Sequence, residues 1–136
     1  MTDANIVLDF TLKRERYEIA KRVFELAVSG DLHLFITPAI LHITSYWLVK
    51  AYGKQKTREI ILSLLMDVRV IDSTHEIAVN AVYSKIDDIE DALQYFTAIH
   101  HNLDYFLTRD KNFQKAAMPA LPIYAPEDFF KEVYDI

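Results

Sequence analysis

The sequence contains no cysteine and little glycine or proline. Without thiols the chain forms no disulfide, thiolate zinc site or iron-sulfur cluster, so any metal must be bound through oxygen or imidazole ligands. Two glycines and four prolines in 136 residues leave few positions for tight β-turns, which argues against an all-β sandwich or barrel. The lack of cysteine suits a reducing compartment, and we expect a cytoplasmic protein.

Long apolar runs and an excess of basic residues are also missing. No apolar segment approaches the roughly 18 residues of a membrane span, and the acidic start Met-Thr-Asp differs from a basic signal-peptide leader, so we expect no membrane association. The 15 Lys and Arg residues against 20 Asp and Glu give a net charge of −5, which disfavours nucleic-acid binding through a broad basic surface. A 51% hydrophobic share predicts one compact domain over residues 1–136.

Apolar spacing and capping residues predict alternating helices and strands. A helix is expected over Tyr17–Ser29 with Gly30 as its C-cap, and another from Pro38 until Gly53 ends it. Further helices are predicted over 54–66, from a Ser73-x-x-Glu76 capping box to 84, over 88–101 and 113–117, and from Pro126. Short apolar strands are predicted at 32–37, 68–71, 104–108 and 123–124, which indicates a parallel α/β domain.

Two acidic residues lie where ligands gather in such a domain. Asp110 follows the predicted strand that ends at Thr108, and Asp91 lies in the first turn of the helix before that strand. Ligands of parallel α/β sheets bind beyond the carboxyl ends of the strands, so the two carboxylates can converge there. Asp91 also suits the helix dipole and Asp110 suits a turn, so spacing alone leaves a structural role open for both.

Four segments, in order along the chain, carry motifs of one family. They are Asp3-x-Asn5 followed by Ile-Val-Leu-Asp9, then Ile36-Thr37-Pro38 leading into a helix, then Asp88-Ile-Glu-Asp91-Ala-Leu-Gln-Tyr95, and finally Thr108-Arg-Asp110-Lys-Asn-Phe113. Together they resemble the PIN domain, the nuclease fold of VapC-type toxins. The resemblance implies an α/β PIN-like fold whose central, mainly parallel sheet has about four to five short strands flanked by helices.

The resemblance also implies a catalytic site. In it, Asp3, Asp91 and Asp110 are the metal-binding and catalytic carboxylates, and Asn5, Asp88 and Thr108 are supporting polar groups. Such a site holds Mg²⁺ or Mn²⁺, hard cations that prefer oxygen ligands, and the metal activates a water that hydrolyses an RNA phosphodiester. The implied protein is a metal-dependent endoribonuclease that forms a homodimer and is held inactive by an antitoxin protein.

The chain departs from the family pattern in its second helix. The family carries an acid early in this helix, whereas residues 37–45 contain none and Ile43 occupies the matching position. With one ligand fewer, the alternative function is a catalytically weak or inactive PIN-like module that binds RNA or a protein.

The second departure is at the start of the chain. PIN domains place a buried strand before the first Asp, whereas only Met1 and Thr2 precede Asp3. In an alternative register residues 6–8 form that strand and Asp9 is the ligand. Spacing favours Asp3, with Asp9 as a partly exposed residue of the first helix.

Aromatic and basic clusters complete the pattern. Core packing is predicted for at least one of Tyr46, Trp47 and Tyr52, although these residue types are also enriched at interfaces. Three basic clusters are Lys13-Arg14-Glu15-Arg16, then Lys50, Lys54, Lys56 and Arg58, and then Arg109, Lys111 and Lys115. The second is typical of a solvated helix face, and the other two are candidates for RNA phosphate contacts.

Overall fold

A computed structural model describes residues 1–134 of the chain. Within these residues, helices and short strands alternate in the order α1 (Ala4–Thr11), α2 (Tyr17–Ser29), β1 (Leu34–Ile36), α3 (Pro38–Leu64), β2 (Val68–Val70), α4 (His75–Tyr83), α5 (Ile89–His100), β3 (Phe106–Leu107), α6 (Lys111–Lys115), β4 (Ile123–Tyr124) and α7 (Pro126–Phe129), which a π-helical turn (Phe130–Tyr134) extends. The prediction of an α/β fold is confirmed.

The chain divides into two compact units. The N-terminal unit is Thr2–Val70, and the C-terminal unit joins Met1 to the chain from Ile71 onward. Each unit contains one parallel pair of strands, β1 with β2 and β3 with β4. The predicted short parallel strands are therefore confirmed, while the extent of a single domain over 1–136 stays a prediction.

In the N-terminal unit, α1 packs against both α2 and α3. The core between them includes Ile6, Val7, Val23 and Phe24, all of which are buried. Gly30 ends α2 at φ 84°, a left-handed conformation that glycine adopts without steric penalty, as the sequence predicts.

The α3 helix is interrupted at Gly53. This residue has φ 81° and ψ 171°, far from helical values, so two helical segments meet at a bend. The predicted end of a helix at Gly53 is therefore confirmed. Thr37 caps the first segment by accepting a hydrogen bond from the Ile40 amide at 3.2 Å.

In the C-terminal unit, β3 is hydrogen-bonded on both sides although it has two residues. The amides of Phe106 and Thr108 donate to the carbonyls of Pro122 and Tyr124, both at 3.0 Å, and the Leu107 amide donates to the carbonyl of Met1 at 2.8 Å. The Met1 amine donates to the Tyr105 carbonyl at 3.0 Å, and burial lowers the pKa of this amine to about 5. β3 is thus the innermost strand of its unit.

Three sequence predictions are wrong in detail. Thr74, rather than Ser73, caps α4, and its side chain accepts from the Ile77 amide at 3.3 Å. Tyr46, Trp47 and Tyr52 are 52%, 48% and 43% exposed, so none is a core residue. Asp9 is buried rather than partly exposed.

Across residues 1–134, no helix combines the length and the apolar character that a membrane crossing requires.

Candidate functional site

Asp3 lies at the start of α1. The preceding residue, Thr2, pairs with β1 through its amide, which donates to the Phe35 carbonyl at 3.2 Å. Asp3 then turns the chain into the helix, and its Oδ1 accepts the Ile6 amide at 3.1 Å as an N-cap. Because residues 6–8 are helical, the alternative register with a strand there is wrong.

Asp9 and Asn5 lie further along α1 and share one partner. The Asp9 carboxylate accepts from Arg14 Nε at 3.0 Å, and Arg14 Nη2 donates to the Asn5 carbonyl at 2.9 Å. Arg14 therefore ties the loop after α1 to the helix itself. This contact gives Asp9 a structural role, while the Asn5 side chain is exposed in the first turn.

Asp88 and Asp91 form the start of α5. The Asp88 side chain is the N-cap and accepts the Asp91 amide at 3.0 Å, as the sequence predicts. Asp91 is half-buried in the first turn beside Glu90. Both carboxylates lie at the helix end whose dipole favours negative charge.

Asp110 and Thr108 form the corner between β3 and α6. Asp110 Oδ1 accepts two amides, from Asn112 at 2.9 Å and from Phe113 at 3.2 Å, and so caps α6. The hydroxyl of the buried Thr108 accepts the Asp110 amide at 3.1 Å, which fixes the corner. The two capping bonds use one carboxylate oxygen and leave the second oxygen outside the cap.

The three family carboxylates thus share one local design, because each lies at the N-terminus of a helix. Asp3 and Asp110 are N-caps, and Asp91 is a first-turn residue. Carboxylate oxygens are the donors that Mg²⁺ and Mn²⁺ prefer, so the donor set fits these ions in kind. Within residues 1–134, no three Asp, Glu or His side chains are grouped closely enough to hold a metal ion. A metal site shared by Asp3, Asp91 and Asp110 is therefore a prediction and not an observation.

The stretch without an acid lies in the first segment of α3. His42 is exposed and Ile43 is half-buried, whereas Thr44 is fully buried. The Thr44 hydroxyl has no hydrogen-bond partner among the described residues. This part of α3 therefore supplies no carboxylate where the family pattern has one.

Sequence reasoning missed a cleft in the N-terminal unit. It has a volume of about 450 Å³ and is lined by Phe10, Tyr17 and Phe24, with Lys13, Lys56, Glu59 and Asp67 among its charged lining residues. The Phe10 ring stacks on Phe24 at 4.5 Å and on Tyr17 at 6.0 Å. Phe10 lies on α1, and Tyr17 and Phe24 lie on α2. The presence of aromatic residues on two successive helices is the one sequence signal that could have indicated that they line a common cleft.

A family model described as PIN domain matches residues 1–112. A solved toxin-antitoxin complex from Klebsiella pneumoniae contains a chain that is 24% identical, with a TM-score of 0.66, over 88% of this chain and 92% of that chain. Comparison with curated proteins gave no match.

Proposed function

The chain belongs to the PIN domain family, and from this premise we propose that it is a metal-dependent endoribonuclease of the VapC toxin type. The observation that carries the proposal is the position of Asp3, Asp91 and Asp110, each at the start of a helix and each within a family motif. The fold is supported independently by the similarity to a chain of a toxin-antitoxin complex.

In the proposed site these three carboxylates hold Mg²⁺ or Mn²⁺. When bound, such an ion would supply an activated water and would neutralise charge on the phosphoryl group of the RNA. The chain's own contribution is to orient the ligands: Thr108 holds the Asp110 backbone, and Asp88 holds the amide of Asp91. Asn5 is a further polar group in the first turn of α1.

We further propose that the protein works in the cytoplasm, forms a homodimer and is restrained by an antitoxin. The lack of cysteine supports the first point. The similar chain from Klebsiella pneumoniae supports the antitoxin, because it was solved as part of a toxin-antitoxin complex.

A second candidate function is a PIN-like module that binds RNA or a protein without cleaving RNA. One observation favours it: residues 37–45 lack an acid, and the half-buried Ile43 occupies the matching position. Fewer carboxylate ligands weaken the affinity for a hard divalent cation. The two candidates differ in whether metal-dependent cleavage occurs.

The test replaces the proposed ligands one at a time by asparagine. Asp110→Asn keeps an N-cap, because asparagine caps as well as aspartate, so the fold should survive. Asp91→Asn and Asp110→Asn should each slow cleavage of fluorescent single-stranded RNA in Mn²⁺ on the order of 100-fold or more, since several kcal/mol of transition-state stabilisation depend on the metal. The matched control is Asp128→Asn, an exposed first-turn carboxylate of α7, which should cleave like the wild type.

Calorimetric titration of Mn²⁺ into the same proteins gives an independent readout. Wild type and Asp128→Asn should bind the ion, and the two site variants should bind it more weakly. If wild-type protein shows no cleavage that EDTA or these substitutions remove, the enzyme proposal fails and the binding module stands.

A further inference from the structure

The first segment of α3 presents an exposed aromatic face. Tyr46 and Trp47 are about half exposed, and their rings meet edge to face with centroids 5.3 Å apart. The buried side of this segment is formed by Ile40, Thr44 and Leu48, which recur every fourth residue. Tyr46 lies on the side of the helix opposite this stripe, and Trp47 lies at its edge, seven residues after Ile40. Both rings are nevertheless about half exposed, so they remain accessible.

A lysine lies over both rings. The Lys50 ammonium is 4.8 Å from the Tyr46 ring centroid and 5.4 Å from that of Trp47. Within residues 1–134 no carboxylate comes within ion-pair distance of Lys50. The cation covers part of the rings, which remain about half exposed, so the group combines a positive charge with accessible aromatic surface.

The sequence segment that carries this group has only basic residues among its charged side chains. Residues 32–58 contain four Lys or Arg residues and no Asp or Glu, although the whole protein has 20 acids and a net charge of −5. Lys56 pairs with Glu59 at 3.8 Å, whereas Lys50 and Lys54 are exposed. A local excess of positive charge attracts phosphates, so this face suits a polyanion better than the acidic chain as a whole does.

We propose that Tyr46, Trp47 and Lys50, with Lys54 nearby in sequence, form a stacking platform for single-stranded RNA. This inference rests on the proposed ribonuclease function, for which it names a substrate contact away from the carboxylates. Unpaired bases stack on exposed aromatic side chains, and neighbouring lysines contact the phosphates. Tyr and Trp are also enriched at protein interfaces, but lysine is depleted at their centres, so the position of Lys50 over both rings favours RNA over a protein partner.

Trp47 is the one tryptophan of the chain, so its emission reports on the platform directly. The experiment titrates full-length protein in EDTA, where no cleavage occurs, with an oligouridylate of about 12 nucleotides, a length within the range that single-strand binding sites cover. Stacking should quench Trp47 emission, and the same length of RNA in a duplex should quench it far less.

Anisotropy of a labelled RNA tests the individual side chains. Trp47→Ala should weaken binding about fivefold or more, and Trp47→Phe should restore most of it, because phenylalanine keeps a stacking face. Lys50→Gln should lower the slope of log Kd against log salt by about 0.7, the value for one lost phosphate contact on a single strand. The matched control is Lys21→Gln, which removes a partly exposed lysine near the Tyr17 ring of α2 and should leave binding unchanged.

Three outcomes overturn the platform. RNA binding without Trp47 quenching places the RNA elsewhere, and unchanged binding by Trp47→Ala does the same. A blue shift of Trp47 emission that depends on protein concentration, and that RNA does not alter, shows that a second copy covers the face. Since binding is measured in EDTA, a protein that quenches on RNA but never cleaves it with Mn²⁺ refutes the nuclease and keeps the platform.

Discussion

Tyr95 offers a sharp test of what holds the C-terminal unit together. Its side chain is fully buried, and its hydroxyl donates to the Leu121 carbonyl at 2.6 Å and accepts the Met118 amide at 2.8 Å. One hydroxyl therefore fixes both ends of the turn that leads into β4. Its ring packs on Phe106 and Phe113 with centroids 6.2 and 5.8 Å apart, and the variant Tyr95→Phe would keep those contacts.

The cost of Tyr95→Phe follows from the groups it leaves behind. The Leu121 residue is fully buried, so its carbonyl loses a partner that water cannot replace, whereas Met118 is 37% exposed and its amide can reach solvent. An unsatisfied buried acceptor costs about 1–3 kcal/mol, so we expect a loss of about 2 kcal/mol in the free energy of unfolding. For a chain of this size the Tm should fall by roughly 6 °C.

The measurement is urea unfolding followed by circular dichroism, with Tyr83→Phe as the control. Tyr83 is 92% exposed, so removing its hydroxyl should change the free energy of unfolding by less than about 0.5 kcal/mol. If Tyr95→Phe is as stable as Tyr83→Phe, the hydroxyl does not hold the turn and the argument is refuted.

The same residue predicts a pH dependence. Burial raises the pKa of Tyr95 above its ordinary value of 10.0, and the hydrogen bond from the Met118 amide acts in the opposite direction. The folded state thus keeps the phenol proton more firmly than the unfolded state, so stability is unaffected below pH 10 and falls as the pH rises above it. Tyr95→Phe lacks this group, and its stability should fall less steeply over that alkaline range.

Further substitutions in α3, with controls in α1 and at the end of α2, probe polar burial and backbone strain. Thr44→Val and Thr57→Val each remove a buried hydroxyl that has no partner in the described chain, so the free energy of unfolding in urea should rise by about 1 kcal/mol. The control Thr11→Val removes a hydroxyl that is hydrogen-bonded at 2.9 Å, so its free energy of unfolding should fall. Gly53→Ala should lower the free energy of unfolding by about 2–3 kcal/mol, and Gly30→Ala by about 1 kcal/mol. An added Cβ meets nothing within 4 Å at either site, so the two substitutions differ only in backbone conformation. That of Gly53 is nearly restricted to glycine. Equal losses at the two glycines would contradict the strain argument.

Local chemistry made much of the fold predictable. Gly30 and Gly53 mark the ends of helical segments because each supplies a positive φ that other residues avoid. Asp88 opens α5 because its short carboxylate reaches an amide three residues ahead. These signals act within one turn of the chain, so they can be read from the sequence without knowing the neighbours of an element.

Predictions failed where a contact with a residue outside the helix determines which residue caps it or how deeply a side chain is buried. Ser73 and Thr74 can both cap a helix, and the sequence does not separate them. In the structure the Ser73 hydroxyl lies 2.7 Å from that of Thr97 on α5, and Thr74 takes the cap. Asp9 is buried because Arg14 pairs with it across the loop after α1, a contact that helical spacing does not indicate.

In the candidate site, too, the local positions of some residues can be predicted from the sequence, whereas the distances between elements cannot. The sequence predicts Asp91 in the first turn of α5, and the structure confirms that position. It places Asp110 in a turn after a strand, whereas the structure shows that Asp110 and Asp3 are also N-caps of helices. Which carboxylates share an ion depends on distances between elements, and no local pattern encodes them. The exposure of Tyr46 could have been predicted from the sequence, because Ile40, Thr44 and Leu48 indicate the buried side of α3 and Tyr46 lies opposite them. The exposure of Trp47 could not, because it lies seven residues after Ile40, on nearly the same side of the helix.

Although β3 has only two residues, we expect its amide protons to exchange slowly in deuterated solvent. In the C-terminal unit, the amides from Phe106 to Thr108 donate in turn to partners on either side, so no edge of β3 faces water along that run. Exchange of the whole run requires both neighbours of β3 to separate, which happens in the larger opening events of the unit. Strand length is thus a poor guide to protection in this protein, and the number of bonded edges is a better one.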